Sequence, residues 1–243
     1  CPSARAAREE QEAMSAPTIK HSGLMFKPDM ILAYLNERKN QTRRTKNLQV
    51  INEDPDAWDL IFTPHKPGTR FVSFGHKTDR ANIKHVKMPY GGLGDQLYFK
   101  ETWRAWEDMN GEDFILYRAD NEIISPVKFG WDTTKRDDWD YLVGKFDKWQ
   151  SSMFMPLKVA RIRNVPILNV RVERLQDITR EDAKNEGAPN QWVSKLDGNS
   201  IRNYVPVDWY MELWDSINGK TLPWSKNPWV WVYEFPFYQK EGN

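Results

Sequence analysis

The stretch WVWVYEF, residues 229 to 235, constrains the fold of this 243-residue chain more than any other. Its apolar side chains occupy odd and even positions alike, so an extended backbone there is apolar on both faces. Such a strand has to lie in the middle of a sheet or close a barrel, covered on both sides. The segment NVPILNVRVERL (164–175) reads differently. Leu168, Val170 and Val172 alternate with Asn169, Arg171 and Glu173, which predicts a half-buried strand.

Further strands are expected in RFVSF, in FILYRAD and in YGGLGDQLYFKETW, where Gly91, Gly92, Gly94 and Asp95 supply the turn before the strand. Helical spacing is confined to three stretches. KPDMILAYLNERK carries Pro28 in its first turn and an apolar stripe of Met30, Ile31, Tyr34 and Leu35. DITREDAKNEG carries a capping box, Thr179 with Asp182, and Gly187 as its stop. DWYMELWDSING places Trp209, Tyr210, Leu213, Trp214 and Ile217 on one face, with Gly219 as its stop. Strands outnumber helices and interleave with them irregularly, which predicts an α+β fold with a small barrel or strongly curved sheet.

One domain is expected over 23–238, interrupted twice. Residues 48–90 are broken by Pro55, Pro64, Pro67, Gly68, Gly75 and Pro89 and read as an insertion with short strands. Residues 128–150 are charged and aromatic and read as a second insertion. Residues 1–22 are polar and Ala-rich and read as a disordered or appended tail, with Met14 as an internal start.

A net charge of +1 gives no global electrostatic pull on nucleic acid, so any such footprint has to be local. The single cysteine, Cys1, excludes a disulfide framework and a Cys-rich zinc site. The four histidines, His21, His65, His76 and His85, show no HExxH spacing, and neither metal nor cofactor is expected. No apolar run is long enough to span a membrane and no signal-peptide core is seen, so the cytoplasm is the expected compartment, a host's if the chain is phage-encoded.

The candidate site is the basic run in LNERKNQTRRTK. Arg38, Lys39, Arg43, Arg44 and Lys46 surround the polar run Asn40-Gln41-Thr42. Lys39 and Thr42 share a face if the run is a helix end or tight turn. A lysine whose pKa is lowered by burial or by neighbouring cations can take the proton of a threonine hydroxyl, and arginines can hold phosphate or a developing oxyanion. A carboxylate for proton transfer is available in EDAKNEG, as Glu181, Asp182 or Glu186, although sequence alone does not bring that segment to the basic run. The plainer alternative is a solvated helix end whose cations complement the dipole.

Twelve tryptophans offer stacking surfaces as well as core. Trp209, Trp214, Trp229 and Trp231 read as core, Trp106, Trp131 and Trp139 as candidates for stacking, and Trp103 and Trp149 fit either role. Glu101, which ends the strand in FKETW, reads equally as a second cleft carboxylate or a sheet-edge charge.

The blocks FKPDMILAYLNERKNQTRR, YGGLGDQLYFKETW, LYRAD, WQSSMFMPLKVARI, VRVERLQDITREDAKNEG, LWDSING and NPWVWVYEF together resemble the ASCH family, which is similar to PUA-type RNA-binding barrels. The similarity is greatest to phage and prophage members, and the blocks run in order over most of 25–235. The resemblance implies a small PUA-like β-barrel with flanking helices and a cleft lined by the basic motif. Bacterial members hydrolyse N4-acetylcytidine through a K-x-x-T-x-R motif and a later glutamate. The motif here is Lys39, Thr42 and Arg44, and the glutamate corresponds to Glu186.

By that resemblance Lys39 activates Thr42 for attack on the acyl carbonyl, Glu186 handles protons, and Arg44 orients the substrate or stabilises charge. Arg38, Gln41, Arg43, Glu101 and Trp103 are the further candidates for substrate contact, Gln41 by reading a base edge. The implied partner is a modified nucleoside or RNA, with no membrane; the oligomeric state is not legible. The alternative function is a noncatalytic RNA-binding or single-stranded nucleic-acid-binding module. A nuclease finds neither a metal cluster nor a general-base pair in the sequence.

Overall fold

The computed structural model describes residues 18–63, 66–130, 148–190 and 205–239. Among these residues lie twelve strands in four three-stranded sheets, together with three α-helices and several single-turn 3-10 segments. The class is mixed α and β. No hydrogen-bonded ladder joins the four sheets into a closed barrel among the described residues.

Strand β1 (His21–Met25) leads into helix α1 (Pro28–Leu35), which starts with Pro28 and Asp29 in its first turn and ends at Asn36. Glu37 then takes a left-handed φ of 55°, turning the chain toward strand β2 (Gln41–Arg44). Strands β3 (Trp58–Phe62), β4 (Phe71–His76) and β5 (Ile83–Lys87) form an antiparallel sheet of their own within the 48–90 excursion. Leu48, Ile51, Trp58, Val72, Phe74, Val86 and Met88 of that excursion are buried in the main core, so it is a structural part of the domain.

Strand β6 (Gln96–Lys100) pairs in parallel with β1 and antiparallel with the short β10 (Val165–Pro166). Strands β7 (Trp103–Glu107), β8 (Asp113–Tyr117) and β9 (Ile123–Ile124) form the third sheet, over a second core that includes Trp103, Ile115, Tyr117, Met155 and Val159.

The fourth sheet positions the candidate site. Strand β12 (Trp229–Glu234) lies between β11 (Asn169–Arg174) and β2. It is central, as its two apolar faces require. Trp231 and Tyr233 enter the main core, while Val230 and Val232 enter a third core beneath helices α2 (Arg180–Asn185) and α3 (Pro206–Asn218). All four are fully buried, each burial contributing about 1.5–3 kcal/mol for a large apolar side chain.

The expected inward row of β11 holds for Val170 and Val172, whereas Leu168 is 54% exposed. The β11–β12 ladder ends at the Asn169–Glu234 pair, and Ile167 already bonds to Asp95 beside the other sheet. Leu168 falls in the gap between the two.

Candidate functional site

The middle of the basic run, Gln41–Arg44, is a strand. β2 pairs antiparallel with β12, matching Thr42 to Tyr233, Arg43 to Val232 and Arg44 to Trp231. The expected helix end or tight turn stops short of it, because a chain that has to hydrogen-bond to β12 is extended. Alternation along the strand then separates the two arginines. The Arg43 guanidinium lies 5.6 Å from the Tyr210 ring, on the side of the third core, and that of Arg44 lies 5.1 Å from the Phe26 ring, on the side of the main core.

The end of α2 is stitched to the residues preceding β2. Lys39 and Glu186 form an antiparallel bridge, Asn40 N donates to Asn185 O, and an Arg38 guanidinium nitrogen donates to Gly187 O at 2.9 Å. The Thr179–Asp182 capping box starts α2 as the sequence requires, and Gly187 ends it with φ +104°. Sequence alone left EDAKNEG unplaced; pairing across the chain delivers Glu186 to the basic run.

Lys39 is 1% exposed and Glu186 3%. The Lys39 ammonium donates to Glu186 Oε2 at 2.9 Å, to Glu186 O at 2.8 Å and to Gln41 O at 2.7 Å. The last acceptor is the carbonyl of the peptide bond that leads into Thr42. The other carboxylate oxygen of Glu186 accepts from Arg43 at 3.2 Å. Thr42, Lys39, Arg43, Arg44 and Glu186 all line one cavity of about 340 Å³, within the size range of small-molecule sites. Thr42 Oγ1 makes no hydrogen bond to any described residue.

Behind this wall lies a charged layer. Arg43 donates to Glu173 at 2.6 Å and to the side-chain oxygen of Gln41 at 2.7 Å. Gln41 in turn donates to Asp182 and Glu234, and Arg171 pairs with Glu173, Asp182 and Glu234. The predominantly acidic layer fixes the Arg43 fork in place through its two terminal nitrogens, while its Nε is buried without a partner.

Burial pushes the Lys39 ammonium below its ordinary pKa; Glu186 opposes that shift, and Arg44 and Arg43 add to it. For Arg43 burial acts downward, but Glu186, Tyr210 and Glu173 outweigh it and the guanidinium is raised. Asp182 is lowered to about 2: burial acts against it, while hydrogen bonds from Gln41 and Thr179 and the charge of Arg43 prevail. The Tyr210 phenol is pushed well above its ordinary value by burial, reinforced by Glu186, so it is a neutral wall.

Helix α3 forms the opposite wall. Its expected apolar stripe is split: Tyr210 and Trp214 are buried, while Leu213 is half-buried and Ile217 half-exposed, and all four line the cavity. Four of the residues expected to contact substrate do not line it. Arg38 is held by Gly187 O, and Gln41 is 2% exposed with its amide engaged. Glu101 is 1% exposed and forks with Arg161 at 2.8 Å on each oxygen, and Trp103 is fully buried in the second core.

Trp149 is 39% exposed and lies beneath the guanidinium groups of Arg104 and Arg118. Trp131 and Trp139 lie outside the described residues. Phe26, Tyr90 and Tyr210 line the cavity without having been singled out in the sequence as site residues. The polar row of β11, Arg171 and Glu173, was the available signal for the charged layer, but alternation alone reads it as a solvent face.

Among the described residues, no helix is long and apolar enough to cross a membrane, and no group of three or more His, Cys, Asp or Glu side chains is arranged to hold a metal ion. No family model, curated protein or solved structure matches the chain.

Proposed function

We propose that the protein is an ASCH-type, PUA-like amidohydrolase that removes an acyl group from a modified nucleoside, N4-acetylcytidine being the first candidate. The observation that carries this reading is a buried lysine held against a glutamate, its ammonium bonded to the carbonyl that precedes a threonine bordering the same cavity. Lys39 in its neutral form takes the proton of Thr42 Oγ1 as the oxygen attacks the acyl carbonyl. Arg44, on the same wall, is placed to stabilise the oxyanion of the tetrahedral intermediate.

Collapse breaks the C–N4 bond. The Lys39–Glu186 pair returns the proton to the departing amine, leaving an acyl ester on Thr42. Water, deprotonated by the same pair, cleaves that ester and regenerates the hydroxyl. The sum is amide plus water giving amine plus carboxylic acid.

The test is mass-spectrometric detection of deacylation with wild type and Thr42→Ala. Release of acetate by wild type and none by Thr42→Ala is expected. Undiminished turnover by Thr42→Ala would overturn the mechanism. The alternative, a noncatalytic nucleic-acid-binding module, gains weight if neither protein turns over any acylated nucleoside.

A further inference from the structure

Adjacent arginines of β2 meet opposite electrostatic conditions. Arg43 has Glu173, Asp182 and Glu186 within ion-pair distance. Arg44 has a carbonyl acceptor, Met25 O at 2.8 Å, and the Phe26 ring; the Nε of both arginines is buried without a partner. Further along the same rim the Lys46 ammonium lies 5.6 Å from the Tyr90 ring, and both residues line the cavity. Asn47 Nδ2 donates to Lys87 O at 2.9 Å, which brings the end of β5 to this rim, and the Lys20 ammonium reaches Pro89 O at 3.5 Å.

Arg44 and Lys46 line the cavity, and Lys20 and Lys87 lie beside that rim without lining it. Among the described residues none of Arg44, Lys46 and Lys87 forms an ion pair with a carboxylate. The carboxylate nearest Lys20, Asp95, is already forked by Arg70 at 2.6 and 2.7 Å. Lys20 registers the crowding: its ammonium is pushed down by burial and then by Lys87, with Arg70 and Lys46 adding to it and Asp95 opposing. Uncompensated like charges at a cavity mouth are repulsive without a counter-charge and attract an anion. Across the cavity Leu213 and Ile217 offer an apolar surface. The two walls suit a ligand with a flat, weakly polar body and an anionic end.

We propose that Lys46, Lys20 and Lys87, next to Arg44, form a phosphate-binding site beside the cavity mouth, so that the natural substrate is a nucleotide and not a free nucleoside. This rests on the hydrolase reading for the identity of the base and adds the phosphate. The phosphate belongs either to a mononucleotide or to a residue within a single strand, and Arg43, already neutralised, takes no part.

Calorimetric titration with cytidine and with cytidine 5′-monophosphate tests the site without any turnover. The monophosphate is expected to bind wild type at least about tenfold more tightly, which is about 1.4 kcal/mol. In the Lys46→Ala/Lys87→Ala variant, both of whose side chains are exposed, the ratio of the two affinities is expected to fall to about one. Equal affinities in wild type, no measurable binding of the monophosphate, or a preference that survives in the double variant would each overturn the proposal.

A short oligocytidylate distinguishes the two sources. Tighter binding than the monophosphate, falling steeply with salt, identifies a strand; equal binding identifies a mononucleotide. Turnover of N4-acetylcytidine and of its 5′-monophosphate separates this proposal from the one beneath it. Phosphate-dependent binding without deacylation removes the hydrolase and keeps the site. Deacylation with equal kcat/KM for both removes the site and keeps the hydrolase.

Discussion

Lys39 is both the candidate base and a buried charge, and the two roles complicate its substitution. Its ammonium and the Glu186 carboxylate are matched only by each other and by a few fixed groups. Removing one partner strands the other in a low-dielectric interior, at a cost of about 3–5 kcal/mol. Lys39→Ala is therefore expected to lower the denaturant midpoint strongly as well as to abolish turnover. Thr42→Ala removes a hydroxyl with no hydrogen bond to a described residue and is expected to cost less than about 1 kcal/mol. Urea unfolding of both variants checks this; equal midpoints would show that the Lys39–Glu186 pair contributes nothing to folding. The lowered Lys39 pKa also sets the direction of the pH profile. Only neutral Lys39 accepts a proton, so kcat should rise with pH and level off below 10.5, the ordinary value of a lysine.

At the scale of elements, the short helix α2 matters through its last turn. Gly187 has φ +104°, and a Cβ there would lie 2.9 Å from Ala33 Cβ and 3.4 Å from Lys39 Cβ. Gly187→Ala is expected to cost about 1–3 kcal/mol of stability and to reduce turnover, because Glu186 shifts with the helix end. A variant with wild-type melting and activity would show that the helix end can move without moving the carboxylate. Glu101 tests the opposite case. It joins the end of β6 to Arg161, which also pairs with Asp120 and Glu122. Glu101→Gln is expected to lower the melting temperature with kcat/KM of the remaining folded protein unchanged. Loss of ligand affinity at an unchanged melting temperature would restore Glu101 as a substrate contact.

At the scale of the molecule, two carboxylates link distant segments. Asp95 accepts from Lys20 N, Gly92 N and Arg70, and Asp182 joins α2 to β2 and β11. Burial acts to raise Asp95, but the bonds from Arg70, Lys20 and Gly92 outweigh it and bring it down to about 2, the same value as Asp182. Both are depressed from an ordinary 3.8, so their contribution to stability is present above about pH 4 and is lost as pH falls through 2. Urea unfolding across that window should show a falling midpoint, and Asp95→Asn should be less stable at neutral pH yet flatter toward acid. A wild-type midpoint that does not change over the window would contradict the depressed values.

The sequence by itself determined the elements whose pattern is local. The apolar faces of WVWVYEF required a central strand, the Thr179–Asp182 pair and Gly187 bounded a helix, and Tyr210 and Trp214 of the α3 stripe turned inward. It also held the residue types of the proposed chemistry, because a lysine, a threonine and a carboxylate would be needed for it whatever brings them together. Tertiary structure decided the rest. Pairing to β12 made the middle of the basic run, Gln41–Arg44, a strand and sent Arg43 and Arg44 to opposite sides. The bridge between Lys39 and Glu186 joined segments 147 residues apart. The polar row of β11, which alternation assigns to water, became a charged layer because α2 covers it. Local pattern records which faces are apolar; what a polar face meets depends on the segment packed over it.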